Sequence, residues 1–506
     1  MYEIIVIGND LSSLMAAVRS SQMGKKTILL TDIDIPDYYA ASGYTFDIDP
    51  FPWTGFEPKG ILTNILSDLE LPVDTIPLNP AFKLIFPEHR FDILGDTAAQ
   101  ISEIEREIGR NSINFRQFYK TVLKTDTLLS RLIRDNPRVR PATVKEFFTY
   151  LLRVPRMIWL RRQFSKHFTR IQASPFLKKA FSAELLFFSH LNPEGISPLS
   201  LAYALSLPFR NLNYPIGGKY RIIDSLKRKI ESKGGIVKSC STLQLKINEE
   251  VVVDISAGNG NSFTIKGRNV IVSTKWKGFL PFLLGDDRCS SIADKYTDIE
   301  ATHYPFTLHI GIAEASIPEN MSQYSAIVSE EILCDETDTF KENLLFLELS
   351  ALGDKGRAPA HRRALSVTAF LKDSPVDLSN KELTEVSVRM MKSIEGLLPF
   401  LNESIDFIDI DRSIDISRKY QESINERYSL KQNPILGVSL LSNKTPLNNL
   451  SITGGLLLAG LGMEGEIISG LNALESFSGD VNNVQDQETG QINVPLAHKE
   501  ELLHIE

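Results

Sequence analysis

The sequence has few cysteines, no excess of positive charge and no long hydrophobic run, and each shortage excludes a class of protein. Its 506 residues include three widely separated cysteines, Cys240, Cys289 and Cys334, with no CxxC pair. This spacing predicts reduced thiols, not a disulfide or metal framework. A net charge of −8 argues against general nucleic-acid affinity. No apolar run reaches the roughly 18–20 residues that a membrane-spanning helix needs.

The strongest pattern is the opening stretch 2–32. Ile4–Ile7 form an apolar run that ends at Gly8, apolar residues then recur at helical spacing, and a second apolar run occupies 27–30. This strand–turn–helix–strand unit has the size of the βαβ piece that opens a dinucleotide-binding domain. With 42% hydrophobic residues, the chain can build two domains. Because the first strand begins at residue 2, we expect no signal peptide and a cytoplasmic location.

The turn of this unit departs from the dinucleotide fingerprint where the fingerprint touches phosphate. A dinucleotide loop needs three glycines, and their places here hold Gly8, Asp10 and Ser13. A carboxylate about 4 Å from a phosphate charge costs roughly 4 kcal/mol, which is about three decades of affinity. Asn9, Asp10, Ser12 and Ser13 are also good N-cap residues, so the helix could satisfy its own N–H groups without a ligand.

A basic segment covers residues 131–179 of an otherwise acidic chain. It is interleaved with aromatic and aliphatic residues, and only Asp135 and Glu146 oppose its positive charge. Such a segment could lie on an anionic membrane surface. The alternative is a helical substrate domain whose basic face is merely solvated, with the helix broken at Pro155. Its basic residues are Arg131, Arg134, Arg138, Arg140, Lys145, Arg153, Arg156, Arg161, Arg162, Lys166, Arg170, Lys178 and Lys179.

Apolar patterns in the later part of the chain predict the remaining strands of both sheets. Gly217-Gly218 precede an amphipathic helix, and 270–274 is typical of a buried strand that returns to the first sheet. Residues 304–312, 344–349 and 365–371 predict strands of a second, largely antiparallel sheet. Near the end, a strand and a glycine-rich turn lead to a helix predicted to begin near Glu466, with its N-terminus towards the first domain.

Four stretches, in this order, resemble the FAD-dependent amine oxidases and phytoene-desaturase-like oxidoreductases, of which the Rab GDP-dissociation inhibitors and escort proteins are a distant branch. The stretches are 4–32, 43–50 (GYTFDIDP), 214–235 (YPIGGKY…GG) and 456–473 (LLLAGLGMEGEIISGLNA). The resemblance implies an α/β fold with a Rossmann-like FAD/NAD(P)-binding domain and a discontinuous α+β substrate domain. It assigns 1–90, 210–285 and 435–480 to the FAD-binding-type domain, 91–209 and 286–434 to the substrate domain, and 481–506 to a polar tail.

The resemblance also implies a set of cofactor-binding positions. They are Gly8, Asp10, Leu11, Ser12, Ser13, Asp32, Gly217, Gly218, Gly460, Gly465, Glu466 and Ile467. Several motif positions differ from the family: Ala40-Ala41 replace glycines beside the flavin, and Asp49 replaces another glycine. Asp10, Asp49, Glu464 and Glu466 would surround the pocket with negative charge, the opposite of a phosphate site. The alternative is that some of these carboxylates project away from the pocket.

Two functional hypotheses follow from the resemblance. One is an FAD-dependent desaturase, dehydrogenase or isomerase acting on an apolar substrate such as an isoprenoid or lipid, with the chemistry supplied by the flavin. The other is a non-catalytic homologue that has lost FAD and binds a lipid, a prenyl group or a protein partner.

No catalytic residue and no metal ligand can be assigned from the sequence. Lys275 is a candidate near the flavin, although a solvated loop lysine is the simpler interpretation. His303 and His309 fit core or surface histidines at least as well as catalytic ones. Asp47 and Asp49 are spaced to share a strand face, and a turn-capping role explains them equally.

Overall fold

The computed structural model describes residues 1–58, 60–109, 113–135, 144–192, 196–256, 262–328, 344–398, 400–419, 426–430 and 441–480. Several sequence predictions fall on residues outside these ranges. They concern Cys334, Arg138, Arg140, the Gly258–Asn261 turn and the tail 481–506.

The described residues form an alternation of strands and helices in which both sheets draw on distant parts of the chain. The strands are β1 (Tyr2–Ile7), β2 (Thr27–Asp32), β3 (Tyr38–Ala41), β4 (Tyr44–Asp47), β5 (Thr75–Pro77), β6 (Phe82–Ile85), β7 (Arg90–Ile93), β8 (Asn213–Pro215), β9 (Ile236–Cys240), β10 (Thr242–Ile247), β11 (Val251–Ser256), β12 (Ser262–Ser273), β13 (Ile299–Ala313), β14 (Tyr324–Val328), β15 (Leu344–Leu349), β16 (Arg362–Leu371), β17 (Ile405–Ile408), β18 (Arg427–Leu430) and β19 (Leu450–Thr453). The helices are α1 (Leu11–Gln22), α2 (Ile61–Asp68), α3 (Thr97–Ile108), α4 (Phe115–Asp135), α5 (Val144–Gln172), α6 (Pro175–Phe188), α7 (Pro198–Ala204), α8 (Lys219–Ser232), α9 (Phe279–Leu284), α10 (Ser290–Thr297), α11 (Asn380–Glu395), α12 (Leu401–Ser404), α13 (Ile410–Lys419) and α14 (Gly462–Ala473).

The first sheet has a parallel centre in the order β19-β12-β1-β2-β9. Ile5 pairs with Ile28 on one side and with Val270 on the other, as expected for strands that are apolar on both faces. The return of 270–274 to this sheet is therefore confirmed. The first half of β12 also forms an antiparallel meander with β11 and β10.

Helix α1 packs against α14 and α8 beside this sheet, so the two chain ends meet at its N-terminal turn. Gly470 of α14 allows α14 and α1 to pack closely, because a Cβ at this position would lie 2.2 Å from the carbonyl oxygen of Ser12. Only glycine allows the two backbones to approach this far. The contact holds the start of α14 next to the start of α1.

The second sheet runs β17-β13-β16-β15-β14-β6-β7, with β18 also paired to β13. Its pairs are antiparallel except β6 with β14, which confirms the predicted antiparallel strands at 304–312, 344–349 and 365–371. Strand β6 joins this sheet although it lies within 1–90, and β7 follows it from Arg90. Leu383, Val386, Met390 and Ile394 of α11 pack on its apolar face in one buried cluster.

The helical layer α3–α7 corrects one prediction, because α5 continues through Pro155 over 29 residues. The buried residues Met157, Leu160, Phe164 and Phe168 recur every three or four positions along it. This apolar stripe holds the helix against the core, in contact with α4, α6 and α7, and outweighs the hydrogen bond that proline removes. In the described part of the chain, no helix is both long and apolar enough to cross a membrane.

Candidate functional site

The first turn of α1 is closed by the carboxylate of Asp10. Asp10 is 5% exposed and is the N-cap residue of the helix. Its Oδ1 accepts hydrogen bonds from the N–H of Ser13 (3.1 Å) and the hydroxyl of Ser13 (2.6 Å). Its Oδ2 accepts from the hydroxyls of Ser12 and Ser273, both at 2.9 Å. The Asp10 carboxylate thus occupies the N–H of Ser13, a helix-terminal donor that would otherwise face a bound anion.

A second carboxylate reaches the same helix end from the far end of the chain. Glu466, which is buried on α14, accepts a hydrogen bond from the N–H of Leu11 at 3.1 Å. Leu11 and Ser13 therefore both donate their N–H groups to protein carboxylates. The positive end of the α1 dipole faces two negative charges that belong to the chain itself.

Gly8, Ser13 and Ser273 pack tightly around Asp10. A Cβ on Gly8, whose φ is +151°, would lie 2.3 Å from Oγ of Ser13 and 2.6 Å from Cβ of Ser273. The serine that replaces the third fingerprint glycine thus fills the space beside the turn and donates its hydroxyl to Asp10. The predicted capping of α1 by its own first turn is confirmed for Asp10, which accepts the N–H of Ser13, whereas the N–H of Leu11 is satisfied by Glu466. Ser273 of β12 is a further partner of Asp10.

Asp32 lies near this turn without joining its carboxylates. Asn9 accepts the N–H of Asp32 at 2.9 Å and donates to the carbonyls of Asp32 and Ile35, both at 3.4 Å. The side chain of Asp32 caps the N–H of Asp34 and approaches Nζ of Lys277 at 3.4 Å. Asn9 therefore ties the loop after β2 to the loop after β1, across the crevice at the carboxyl ends of these strands.

Gly217 and Gly218 stand at a different helix N-terminus, that of α8. Here Asp47 accepts the N–H groups of Lys219 and Tyr220, both at 3.2 Å. Asp47 in turn pairs at 2.9 Å with the fully buried guanidinium of Arg357, which also makes a two-pronged ion pair with Glu348. The carboxylate of Asp47 thus caps α8 from β4 and, through Arg357, connects this helix end to Glu348 on β15.

Asp49 has the turn-capping role that was the alternative to a catalytic one. Its Oδ1 accepts the N–H of Phe51 at 3.0 Å, and its carbonyl oxygen, like that of Phe51, accepts a hydrogen bond from Nζ of the buried Lys219. Arg427 lies over the rings of Phe51 and Phe370, at 4.6 and 4.8 Å from the ring centroids. Burial lowers the pKa of Arg427 to about 10, and the negative charge of Asp49 opposes that shift.

Glu464 belongs to a separate buried cluster on the other side of α14. Its carboxylate accepts from the hydroxyl of Tyr203 at 2.6 Å and pairs with Arg210 at 2.9 Å. Arg210 also pairs with Asp126. Nearby Glu57 is 6% exposed, and one of its oxygens, Oε2, has no hydrogen-bond partner among the described residues. Burial, together with the charge of Glu464, raises the pKa of Glu57 to about 7.

A cavity of ≈ 900 Å³, counting all non-atom space and its opening to solvent, lies in front of the α1 turn. Eleven of its nineteen lining residues are apolar, and the polar ones include Asn9, Asp37, Thr54, His190 and Arg427. Burial lowers the pKa of His190 well below its usual value. Of the four carboxylates predicted to surround the pocket, Asp10, Asp49 and Glu466 border this cavity and Glu464 does not. Asp37, which was not among the predicted four, borders it as well. The apolar lining residues are Leu11, Ile35, Pro36, Ile48, Phe51, Pro52, Trp53, Phe187, Phe188, Ile223 and Met463.

The two histidines and the lysine that the sequence suggested as candidates lie away from the α1 turn or beside a second cavity. His309 is buried against Tyr39 and Phe46, and burial lowers its pKa to about 3, as for a core histidine. His303 is half-buried beside Phe370. Lys275 borders a second cavity, and its Nζ is buried without a hydrogen-bond partner among the described residues.

Three of the proposed cofactor positions serve packing around the start of α14. Gly460 is buried in the short 3₁₀ segment Gly455–Leu461, and Ile467 is buried in the core. A Cβ on Gly465 would lie 2.2 Å from the carbonyl oxygen of Leu458. Helix α14 itself begins at Gly462, one turn earlier than the predicted start near Glu466.

The α1 turn does not fit the pyrophosphate of FAD. The N–H donors of Leu11 and Ser13 are used, and the acceptors that use them are buried anions. Glu466 could be identified from the sequence because it lies in the C-terminal motif. Ser273, Arg357 and Glu57 could not be identified as site residues, because the residues they contact are distant in the chain. In the described part of the chain, no group of three or more histidine, cysteine, aspartate or glutamate side chains could hold a metal ion. Cys240 and Cys289 are free and buried.

Comparison with known proteins relates the chain to others by fold. No protein-family model and no curated protein sequence matches it. An oxidoreductase from Methanosarcina mazei is similar in structure, with 15% identity, a TM-score of 0.56, and coverage of 94% of this chain and 100% of the other. A putrescine oxidase bound to putrescine gives 12% identity, a TM-score of 0.58 and coverage of 94% and 99%. A Rab GDI from Plasmodium falciparum gives 12% identity, a TM-score of 0.50 and coverage of 96% and 99%.

These neighbours show that the chain has the fold shared by the amine oxidases and the Rab GDP-dissociation inhibitors. The predicted α/β fold with a Rossmann-like domain is confirmed. Identities of 12–15% establish the fold alone and leave the activity open.

We predict that Asp10→Ala lowers the free energy of unfolding by about 2–3 kcal/mol, because it removes an N-cap and leaves buried hydroxyls without their charged acceptor. Denaturant unfolding measures the change. The matched control is Asp96→Ala, which removes an exposed N-cap aspartate from α3 and should cost about 1 kcal/mol. Equal losses in the two variants would show that the buried network around Asp10 adds nothing beyond ordinary capping.

We predict that Glu57 makes the folded state less stable as the pH rises. The pKa of Glu57 is about 7 in the folded state and 4.5 in the unfolded chain. Between pH 4.5 and pH 7, Glu57 therefore keeps its proton in the folded state and loses it in the unfolded state. Its contribution is fully present below pH 4.5 and is lost as the pH rises through 7, a change of about 3 kcal/mol.

Unfolding of wild type and Glu57→Gln at pH 5 and pH 8 tests this dependence. The variant should be close to wild type at pH 5 and more stable at pH 8. The exposed Glu231→Gln is the control and should keep the wild-type pH dependence. A Glu57→Gln curve parallel to that of wild type would contradict the prediction.

Proposed function

We propose that this protein works without flavin, as a binding protein that holds an apolar ligand, such as the hydrocarbon chain of a lipid or a prenyl group, in the cavity before α1. The observation that carries the proposal is that Asp10 and Glu466 accept the N–H groups of Ser13 and Leu11. The fold is that of FAD enzymes. The N–H donors of the α1 turn, which stand at the phosphate position, already have acceptors from within the chain.

Electrostatics make displacement by a dinucleotide unfavourable. A pyrophosphate would have to break the hydrogen bonds of the buried Asp10 and then lie beside its charge and that of Glu466. Each carboxylate about 4 Å from a phosphate charge costs roughly 4 kcal/mol at an effective dielectric near 20. Two such terms sum to about 8 kcal/mol, which is about the whole binding free energy of a micromolar complex.

The lining of the cavity supports an apolar ligand. Phe51, Trp53, Phe187 and Phe188 provide an aromatic wall of the kind that lines small-molecule sites. The carboxylates along one side disfavour an anionic head group in that place. A hydrocarbon chain without a phosphate therefore fits this cavity better than a dinucleotide or a prenyl diphosphate does.

An FAD-dependent oxidoreductase is the second candidate. The structural similarity to an oxidoreductase and to putrescine oxidase favours it, as does the position of the cavity at the carboxyl ends of the parallel strands. This candidate requires Asp10 and Glu466 to leave the α1 turn. No acid or base for a redox reaction is assigned among the described residues.

We expect natively purified protein to be colourless in the visible region, and added FAD to leave its thermal unfolding unchanged, because the phosphate donors are used. Absorbance spectra and melting curves with and without FAD measure this. Stoichiometric bound flavin in the purified protein, or a melting temperature that rises with FAD concentration, would overturn the flavin-independent proposal and favour the oxidoreductase.

We expect an apolar molecule to be bound to the purified protein and to be recovered by organic extraction and mass spectrometry. Met463→Glu, which places a charge in the cavity wall, should reduce the recovered amount about tenfold or more. Leu284→Glu changes a residue of α9 that is 67% exposed and away from the cavity, and should leave recovery unchanged. Equal recovery from both variants, or none from wild type, would contradict the ligand proposal.

A further inference from the structure

Helix α5 has two apolar faces, and only one of them is covered. Met157, Leu160 and Phe164 lie in the core. On the opposite side, Leu152 is 82% exposed and Trp159 is 50% exposed. Five of the large hydrophobic residues exposed in the described part of the chain are on this one helix: Phe148, Leu151, Leu152, Ile158 and Trp159.

These exposed residues continue into a basic stripe along the same face. Leu152, Pro155 and Trp159 follow each other at spacings of three and four residues, and Arg162 and Lys166 extend the line. At 3.6 residues per turn, such positions project from one side of a helix. All five are exposed. The outer face is therefore apolar in its first half and cationic in its second.

The charge of α5 contrasts with that of the whole chain. The sequence of the helix contains seven lysines and arginines and one acidic residue, Glu146, whereas the protein carries a net charge of −8. Arg156 and Arg162 are exposed and form no ion pair with a described residue. An acidic protein that concentrates unpaired cations beside exposed tryptophan and leucine has a surface complementary to an anionic, apolar partner.

We propose that the outer face of α5 binds the surface of an anionic membrane. Trp159 and the aliphatic residues would enter the boundary between head groups and acyl chains, while the arginines contact lipid phosphates. The buried face stays in the core, so the helix docks preformed and pays no ordering cost on binding. This inference goes beyond the proposed function and does not depend on the occupant of the cavity.

Binding of the full-length protein to vesicles tests the proposal. Wild type should co-sediment with phosphatidylcholine vesicles that contain phosphatidylserine and should bind vesicles of phosphatidylcholine alone far more weakly. The fluorescence of Trp159 should shift to shorter wavelength on binding. Because the chain has three tryptophans, the Trp159 signal is the difference between the spectra of wild type and Trp159→Phe.

Two variants separate the charged and apolar contributions. Arg156→Gln with Arg162→Gln should weaken vesicle binding about 25-fold, since each basic residue at an anionic surface contributes about a factor of five. The matched control is Lys233→Gln with Arg268→Gln, which removes two exposed cations elsewhere and should bind as wild type does. Leu152→Glu should weaken binding about tenfold or more, and Val388→Glu, on the exposed side of α11, should not.

Melting curves of each variant establish that it is folded. No binding of wild type to anionic vesicles would overturn the proposal and leave a protein partner as the occupant of this face. Equal losses in the α5 variants and their matched controls would overturn it too, because binding would then follow the overall charge or hydrophobicity of the protein. Binding that is indifferent to phosphatidylserine would remove the role of the arginines.

Discussion

The rest of this structure depends on how the N–H groups in the first turn of α1 obtain hydrogen-bond acceptors. These N–H groups point into a largely buried crevice and need a hydrogen-bond acceptor there. In this chain Asp10 and Glu466 provide it. One comes from the loop before the helix and the other from the last helix of the fold, so meeting this need also joins the two ends of the chain.

The same solution recurs at α8, with a difference in charge balance. Asp47 caps that helix, and the buried Arg357 balances it together with Glu348. At α1 the charge of Asp10 is met by hydroxyl and N–H dipoles alone among its hydrogen-bond partners. Asp10 is therefore suited to a place that no further anion enters. The first turns of α1 and α8 thus each donate two N–H groups to carboxylates from within the chain.

Particular residues show what local pattern could and could not predict. The capping role of Asp10 was predictable because an N-cap acts within three residues of sequence. The resemblance places Glu464 and Glu466 together because both lie in its C-terminal motif. The real helix begins at Gly462, and residues two apart on a helix point to different sides. The ion pair of Arg357 with Asp47 spans 310 positions and left no local trace.

Helix α6 connects the two proposed surfaces. Its Phe187 and Phe188 line the cavity, and it packs on α5, whose outer face carries Leu152 and Trp159. An apolar ligand that leaves a membrane for a protein is exposed to water on the way, and this cost falls when the protein takes it up at the membrane surface. A cavity and a membrane-binding helix joined by one intervening helix would shorten the path through water. The closed dinucleotide site is compatible with such a role, because exchange of a hydrocarbon needs shape and apolar wall and no redox group.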